Sequence, residues 1–208
     1  MANHSENSNN HRELKLSDRY FVLTEYESEP ANFIRTVGGF YTADADSLYV
    51  TLEFDSDFTD DSPRKVHYAF ELNDGSLLLN GDDNYLFRPE KEQGQALDGA
   101  WLFATRGPDT GQDRRGDSTP RKTLKFLMDG HFQWIAYNTE TMKFSGTGGG
   151  SYTSNDGTYT ETIIYFSRDN SRVGAVLGFT YELKGKDWHH TGKNSRGEPM
   201  YEIWALRE

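Results

Sequence analysis

Apolar and polar positions alternate along most of the chain in short runs, and each run stops at a turn. In "TYTETIIYFS" (158–167), Tyr159, Glu161, Ile163 and Tyr165 share one face if the backbone is extended, because successive strand residues point to opposite sides. No long segment carries a period of 3.6, so helix signatures are scarce. In the second half, runs over 99–106, 122–128, 131–138, 143–154, 158–167, 172–185, 187–192 and 200–207 read as strands. Asp129-Gly130 and Asn155-Asp156-Gly157 are hairpin turn signals. The longer, Gly/Pro-rich connection spans 107–120. Eight antiparallel strands in series predict an all-β, up-and-down barrel, which closes on itself and leaves no edge.

The first half repeats the second at a fixed shift of 111 residues, so that Phe21 falls on Phe132 and Tyr26 on Tyr137. Thr36, Gly38, Gly39, Tyr41 and Thr42 fall on Thr147, Gly149, Gly150, Tyr152 and Thr153. No gap is needed from Phe21 to Gly81, and chance does not hold a register that long. The period is domain-sized, unlike that of a solenoid. Four segments follow: a disordered polar tail at 1–13, a degenerate barrel copy at 14–90, a linker at 91–95 and a complete barrel at 96–208. The first copy matches seven of the eight strands and has nothing corresponding to "GAWLFATR" (99–106).

The repeat also explains "GTGGGSYTSNDG" (146–157). A phosphate-cradling glycine loop lies between a strand and a helix. These glycines run straight into another strand, so they mark a bulge or a close backbone approach.

Composition narrows the function. A net charge of −11 repels phosphate backbones, which excludes nucleic acid and anionic membrane surfaces as natural partners. The absence of cysteine excludes disulfides, thiolate nucleophiles and Cys-ligated zinc. No stretch approaches the roughly 18 apolar residues of a membrane span. "MANHSENSNNHREL" has no apolar signal-peptide core, so the expected location is the cytoplasm by default, or outside it if the start is truncated. Aromatics reach 14% against only 35% hydrophobic residues overall, which suits thin β-structure with an aromatic interior.

Gly99-Ala100-Trp101 on the first strand of the second copy, with Arg207 at the end of the last, resembles the Gly-x-Trp signature and terminal arginine of lipocalin-like, calycin-type barrels. In that group the arginine packs on the tryptophan and closes the barrel bottom, a cation–π arrangement. The phrases "FQWIAYNTETMKFSGTGGGSYT", "RVGAVLGFTYELKG" and "DWHHTGKNSRGEPMYEIW" are similar to a duplicated lipocalin-like family of Bacteroidota-type bacteria, over most of 96–208 and more weakly over 14–90. Members of that family often carry an export signal. The resemblance implies the fold and assigns no activity.

Candidate site residues lie on the second copy's strands. His189 and His190 are adjacent, so they face opposite sides and cannot chelate one metal. One reading is a ligand-contacting or acid–base histidine; the other is a surface histidine beside one bonded to a hydroxyl. Glu161 is either a buried polar anchor or part of a solvated face. Trp134, Tyr137, Tyr152 and Tyr201 either line a cavity or fill the interior. The first copy carries Val50 opposite Glu161 and Leu78-Leu79 opposite the histidines, so the fold does not require these features. Asp55, Asp57, Asp60 and Asp61 do not follow the calcium-loop spacing, and no metal or cofactor is expected. Arg115-Gly116-Asp117 reads as loop composition.

The expected function is non-enzymatic binding of a small apolar or amphipathic molecule in the second barrel, contacted by Trp134, Tyr137, Tyr152, Glu161, His189, His190 and Tyr201. The alternatives are an acid–base enzyme using His189 or His190 with Glu161, and an interaction module or strand-exchanged homodimer formed through the open first barrel.

Overall fold

The computed structural model describes residues 2–4, 9–81 and 84–207, and the repeated phrase becomes two meanders of antiparallel strands. In the first unit these are β1 (Ala2–His4), β2 (Asn10–Leu16), β3 (Tyr20–Ser28), β4 (Ala31–Ala43), β5 (Ser47–Asp55), β6 (Lys65–Asn73), β7 (Ser76–Asn80) and β8 (Asn84–Phe87). In the second they are β9 (Gly99–Arg106), β10 (Arg121–Met128), β11 (His131–Asn138), β12 (Phe144–Asn155), β13 (Thr158–Phe166), β14 (Val176–Lys184), β15 (Asp187–Lys193) and β16 (Pro199–Leu206). The first sheet runs β1 to β8 in chain order as a nearly closed barrel; the second closes fully, because β9 pairs with both β10 and β16.

The glycines do the work expected of them. Both copies carry a bulge at the same place, between Gly38 and Gly39 and between Gly149 and Gly150. A Cβ on Gly39 would lie 2.0 Å from the Thr51 carbonyl oxygen, and one on Gly150 would lie 2.0 Å from that of Thr162. The bonds around the bulge are duplicated as well. The Thr36 amide donates to Ser56 Oγ at 3.0 Å and the Thr147 amide to Ser167 Oγ at 2.8 Å. In return, the Ser56 and Ser167 amides each donate to the matching threonine carbonyl at 2.9 Å. Asp129-Gly130 and Asp156-Gly157 close their hairpins with positive φ at both residues, as does Asp74-Gly75. That is the turn geometry whose twist matches the flanking strands.

The expected tail needs correction. Residues 10–13 are not a tail: β2 pairs with β3 from Asn10↔Glu27 to Leu16↔Phe21, and Ala2–His4 pairs with β2 in turn. Residues 1 and 5–8 of the expected tail lie outside the described residues. The segment reads as polar because its side chains satisfy one another locally. Arg12 meets Glu25 at 3.1 Å, Lys15 meets Glu13 at 2.6 Å and His11 stacks on Tyr26, while Leu14 enters the core. The backbone ladder forms whatever those side chains are, so pairing overrides composition here. Ala2–His4 thus stands beside β2 where the second unit has β9 beside β10, although nothing in "ANH" matches "GAWLFATR".

The expected linker at 91–95 carries no strand, and the boundary between the units falls in it, between Lys91 and Glu92, with Asn138–Phe144 grouped with the first unit. Gln93 and Gln95 are hydrogen-bonded to Asp129, Asp98, Tyr152 and Ser154 of the second unit. Leu97, just beyond, is fully buried in that unit's core.

Candidate functional site

Tight turns and the 92–98 segment sit at one end of the second barrel, and the longer connections sit at the other. The first end is sealed. Trp101 Nε1 donates to the Leu97 carbonyl at 2.9 Å, the Leu97 amide donates to Ser154 Oγ at 3.3 Å, and Tyr152 donates its hydroxyl to Asp98. Above this floor Trp101, Tyr159 and Trp204 pack around the fully buried Trp188, with ring centroids 5.1–6.0 Å apart. Each such contact contributes about 0.5–1.5 kcal/mol beyond the area it buries.

Towards the other end the interior opens into a cavity of about 590 Å³. Trp134, Phe166, Leu177, Phe179 and Met200 supply its apolar wall. Four ionisable groups project into it from strands: Lys125, Glu161, His190 and Glu202. Arg168, Asp169, Arg172 and Lys193 stand at its rim.

The interior charges are arranged closely. Lys125 Nζ lies 2.6 Å from Glu161 Oε1, across the barrel, with both side chains more than nine-tenths buried. Tyr159 donates its hydroxyl to the same oxygen at 2.7 Å. The ammonium also stands over the Tyr159, Trp188 and Trp204 rings at 5.0–5.4 Å, close enough for cation–π attraction. On neighbouring strands His190 is paired directly with Glu202, Nδ1 to Oε2 at 3.7 Å. Trp204 Nε1 donates to that carboxylate at 3.2 Å. Among the described residues neither ring nitrogen of His190 has a hydrogen-bond partner.

Burial, reinforced by Lys125, holds the His190 pKa below 6.5, so the imidazole is neutral at pH 7. Burial opposes ionisation of Glu202, but the His190 contact, Lys125 and Trp204 outweigh it and hold this carboxyl below its usual range. Both shifts act in the same direction. A group that binds its proton more weakly folded than unfolded loses stability on acidification. The second barrel is therefore expected to weaken as pH drops below about 6.5, first through His190 and further down through Glu202. Thermal melts at about pH 7.5 and 5.5 check this; His190→Leu should narrow the difference between them.

Of the residues singled out in the sequence, the fold brings Trp134, Glu161 and His190 together on the cavity. His189 lies on the opposite face of β15 and bonds the Tyr201 hydroxyl through Nδ1 at 2.7 Å. Tyr152 belongs to the floor. Tyr137 is buried with the opposite strand parity to Trp134, as their spacing required. The expected shared face of Glu161 and Tyr165 is broken by the bulge: Phe166 lines the cavity, while the Tyr165 hydroxyl stands against Gly149.

Sequence reading missed Lys125 and Glu202. The repeat held a signal for the first. Lys125 falls on Leu14, as Glu161 falls on Val50 and His190 on Leu79, and all three counterparts lie in the apolar core of the first unit. Elsewhere the charged motifs are structural. Asp55 and Asp57 face Arg35 at 2.9 and 3.6 Å. Arg115 lies over Phe103, and Asp117 pairs with the buried Arg207 at 2.8 Å. No protein-family model matches the chain, and no curated protein matches it at a significant level.

Proposed function

We propose that the second barrel is a binding protein for one small amphipathic molecule, held without chemical change. The observation that carries this is an aromatic-walled cavity containing a neutral, buried histidine whose nitrogens have no hydrogen bond among the described residues. Leaving such a polar group unmet costs about 1–3 kcal/mol, which a ligand's polar group would recover. Its apolar part would lie against Trp134, Phe166, Phe179 and Met200, the usual composition of a small-molecule site. The Gly99-x-Trp101 opening, with Trp101 on the sealed floor and Arg207 buried beside the last strand, supports kinship with lipocalin-like carriers.

The neutral dye Nile red provides the test. The protein is expected to take it up at one site with a rise in fluorescence, and Met200→Trp, whose ring would narrow the cavity, should weaken uptake. No uptake by the parent, or full uptake by the variant, overturns the proposal. A second reading is acid–base catalysis. It is favoured only by the 3.7 Å approach of His190 to Glu202, which replaces the expected pairing with Glu161. Native mass spectrometry separates the two: a carrier releases its co-purified molecule unchanged, whereas an enzyme incubated with that molecule yields product.

A further inference from the structure

The interior of the cavity holds two carboxylates, Glu161 and Glu202, against one ammonium, Lys125, and a histidine that is neutral at pH 7. Its formal charge is therefore −1. Lys125 is in direct contact with Glu161 at 2.6 Å and acts on Glu202 only through its field, while the described contacts of Glu202 are an indole N–H and an uncharged imidazole. An anionic head group entering here would meet an excess of negative charge. A protonated amine would bring the interior to neutrality.

The remaining geometry favours the amine as well. Glu202 and His190 offer acceptors side by side on paired strand positions, which suits a group with several N–H donors. Phe179, Trp188 and Tyr159 stand around His190 with centroids 4.4, 5.0 and 5.7 Å away. Tyr159 and Trp188 already hold one cation, the Lys125 ammonium, over their faces. The rim carries Arg168, Arg172 and Lys193 against Asp169, but Arg168 and Lys193 are exposed, Arg172 is half-exposed in the connection after β13, and Arg168 is bonded to the Ser145 carbonyl at 2.8 Å. Exposed charges are screened and contribute little beside buried ones.

We infer that the ligand class is a cationic amphiphile: a primary or secondary amine on an apolar or aryl body, its ammonium held by Glu202 and His190. This rests on the carrier reading above and specifies its ligand.

The test uses three probes with one body, 4-phenylbutylamine, 4-phenylbutanol and 4-phenylbutyrate, titrated calorimetrically near neutral pH and in competition with Nile red. The amine is expected to bind at least about tenfold more tightly than the carboxylate, the scale set by a desolvated charge pair. Glu202→Gln should remove that preference, bringing the amine and the carboxylate to comparable affinity. Equal or tighter binding of the carboxylate overturns the inference while leaving the carrier reading intact. An undiminished preference in a folded Glu202→Gln variant overturns the assignment to Glu202. Should that variant fail to fold, the parent's amine-to-carboxylate ratio decides alone. Failure of all three probes and of Nile red tells against the carrier reading itself.

Discussion

Replacing Lys125 alone with leucine is expected to destabilise the second barrel by about 3–5 kcal/mol, because it strands a buried carboxylate. Glu161 is 5% exposed, and its described partners are Lys125 and the Tyr159 hydroxyl. Without the ammonium, Glu161 must either remain charged in a low-dielectric interior or take up a proton, and either outcome costs folding free energy. The double variant Lys125→Leu/Glu161→Val should behave differently. It installs the pair that the first unit already buries at Leu14 and Val50. Exchanging a buried ion pair for apolar groups is often neutral, or stabilising by about 1–4 kcal/mol. The expected order of melting temperatures is therefore double variant at or above parent, with the single variant roughly 10 °C or more below. A single variant that melts with the parent would show that the pair is not buried as described. All four tryptophans, Trp101, Trp134, Trp188 and Trp204, belong to the second unit, so their fluorescence reports on that barrel's unfolding.

Gly150→Ala is expected to cost about 3 kcal/mol or more, at or beyond the upper end for an overpacked site. The added methyl would stand 2.0 Å from the Thr162 carbonyl oxygen and 2.8 Å from the Ile164 amide nitrogen. Both are backbone atoms of the adjoining strand, so no side-chain rotation relieves the clash, and the ladder at the bulge must open. Gly178→Ala is the matched control. It lies on the next strand, β14, and an added Cβ there meets nothing within 4 Å, so its effect should stay within about 0.5 kcal/mol. Urea midpoints followed by tryptophan fluorescence compare the two. Equal effects would mean that the glycine at the bulge is dispensable.

The parts of the fold that were legible in the sequence depend on near neighbours along the chain. The alternation in 158–167 and the Asp-Gly turns fix strands and hairpins locally, and the duplication is visible because glycines and aromatics hold one register from Phe21 to Gly81. What was hidden depends on distant partners. β2 looked unfolded because its charges are neutralised by β3 and by each other, which composition cannot reveal. Lys125 was passed over because its partner Glu161 lies three strands away around the barrel. Tyr165 and Phe166 exchanged faces because a bulge adds one residue and reverses the alternation beyond it. A second irregularity, between Ile203 and Trp204, similarly obscured which side Glu202 would take. Glu161 and His190 were found because they stand in strand runs, and the first copy, with Val50 and Leu79 in their places, shows that the fold does not require them.

The seal made by Leu97, Trp101, Tyr152 and Asp98 has a kinetic corollary. A barrel shut at its base has its mouth at the other end, here between the connection after β13 and the hairpin joining β15 to β16. On the carrier reading, entry and release both pass those two loops, so opening them adds to the barrier that the wall contacts set. Tethering one loop to the other would lengthen occupancy while leaving the bound state's own contacts untouched.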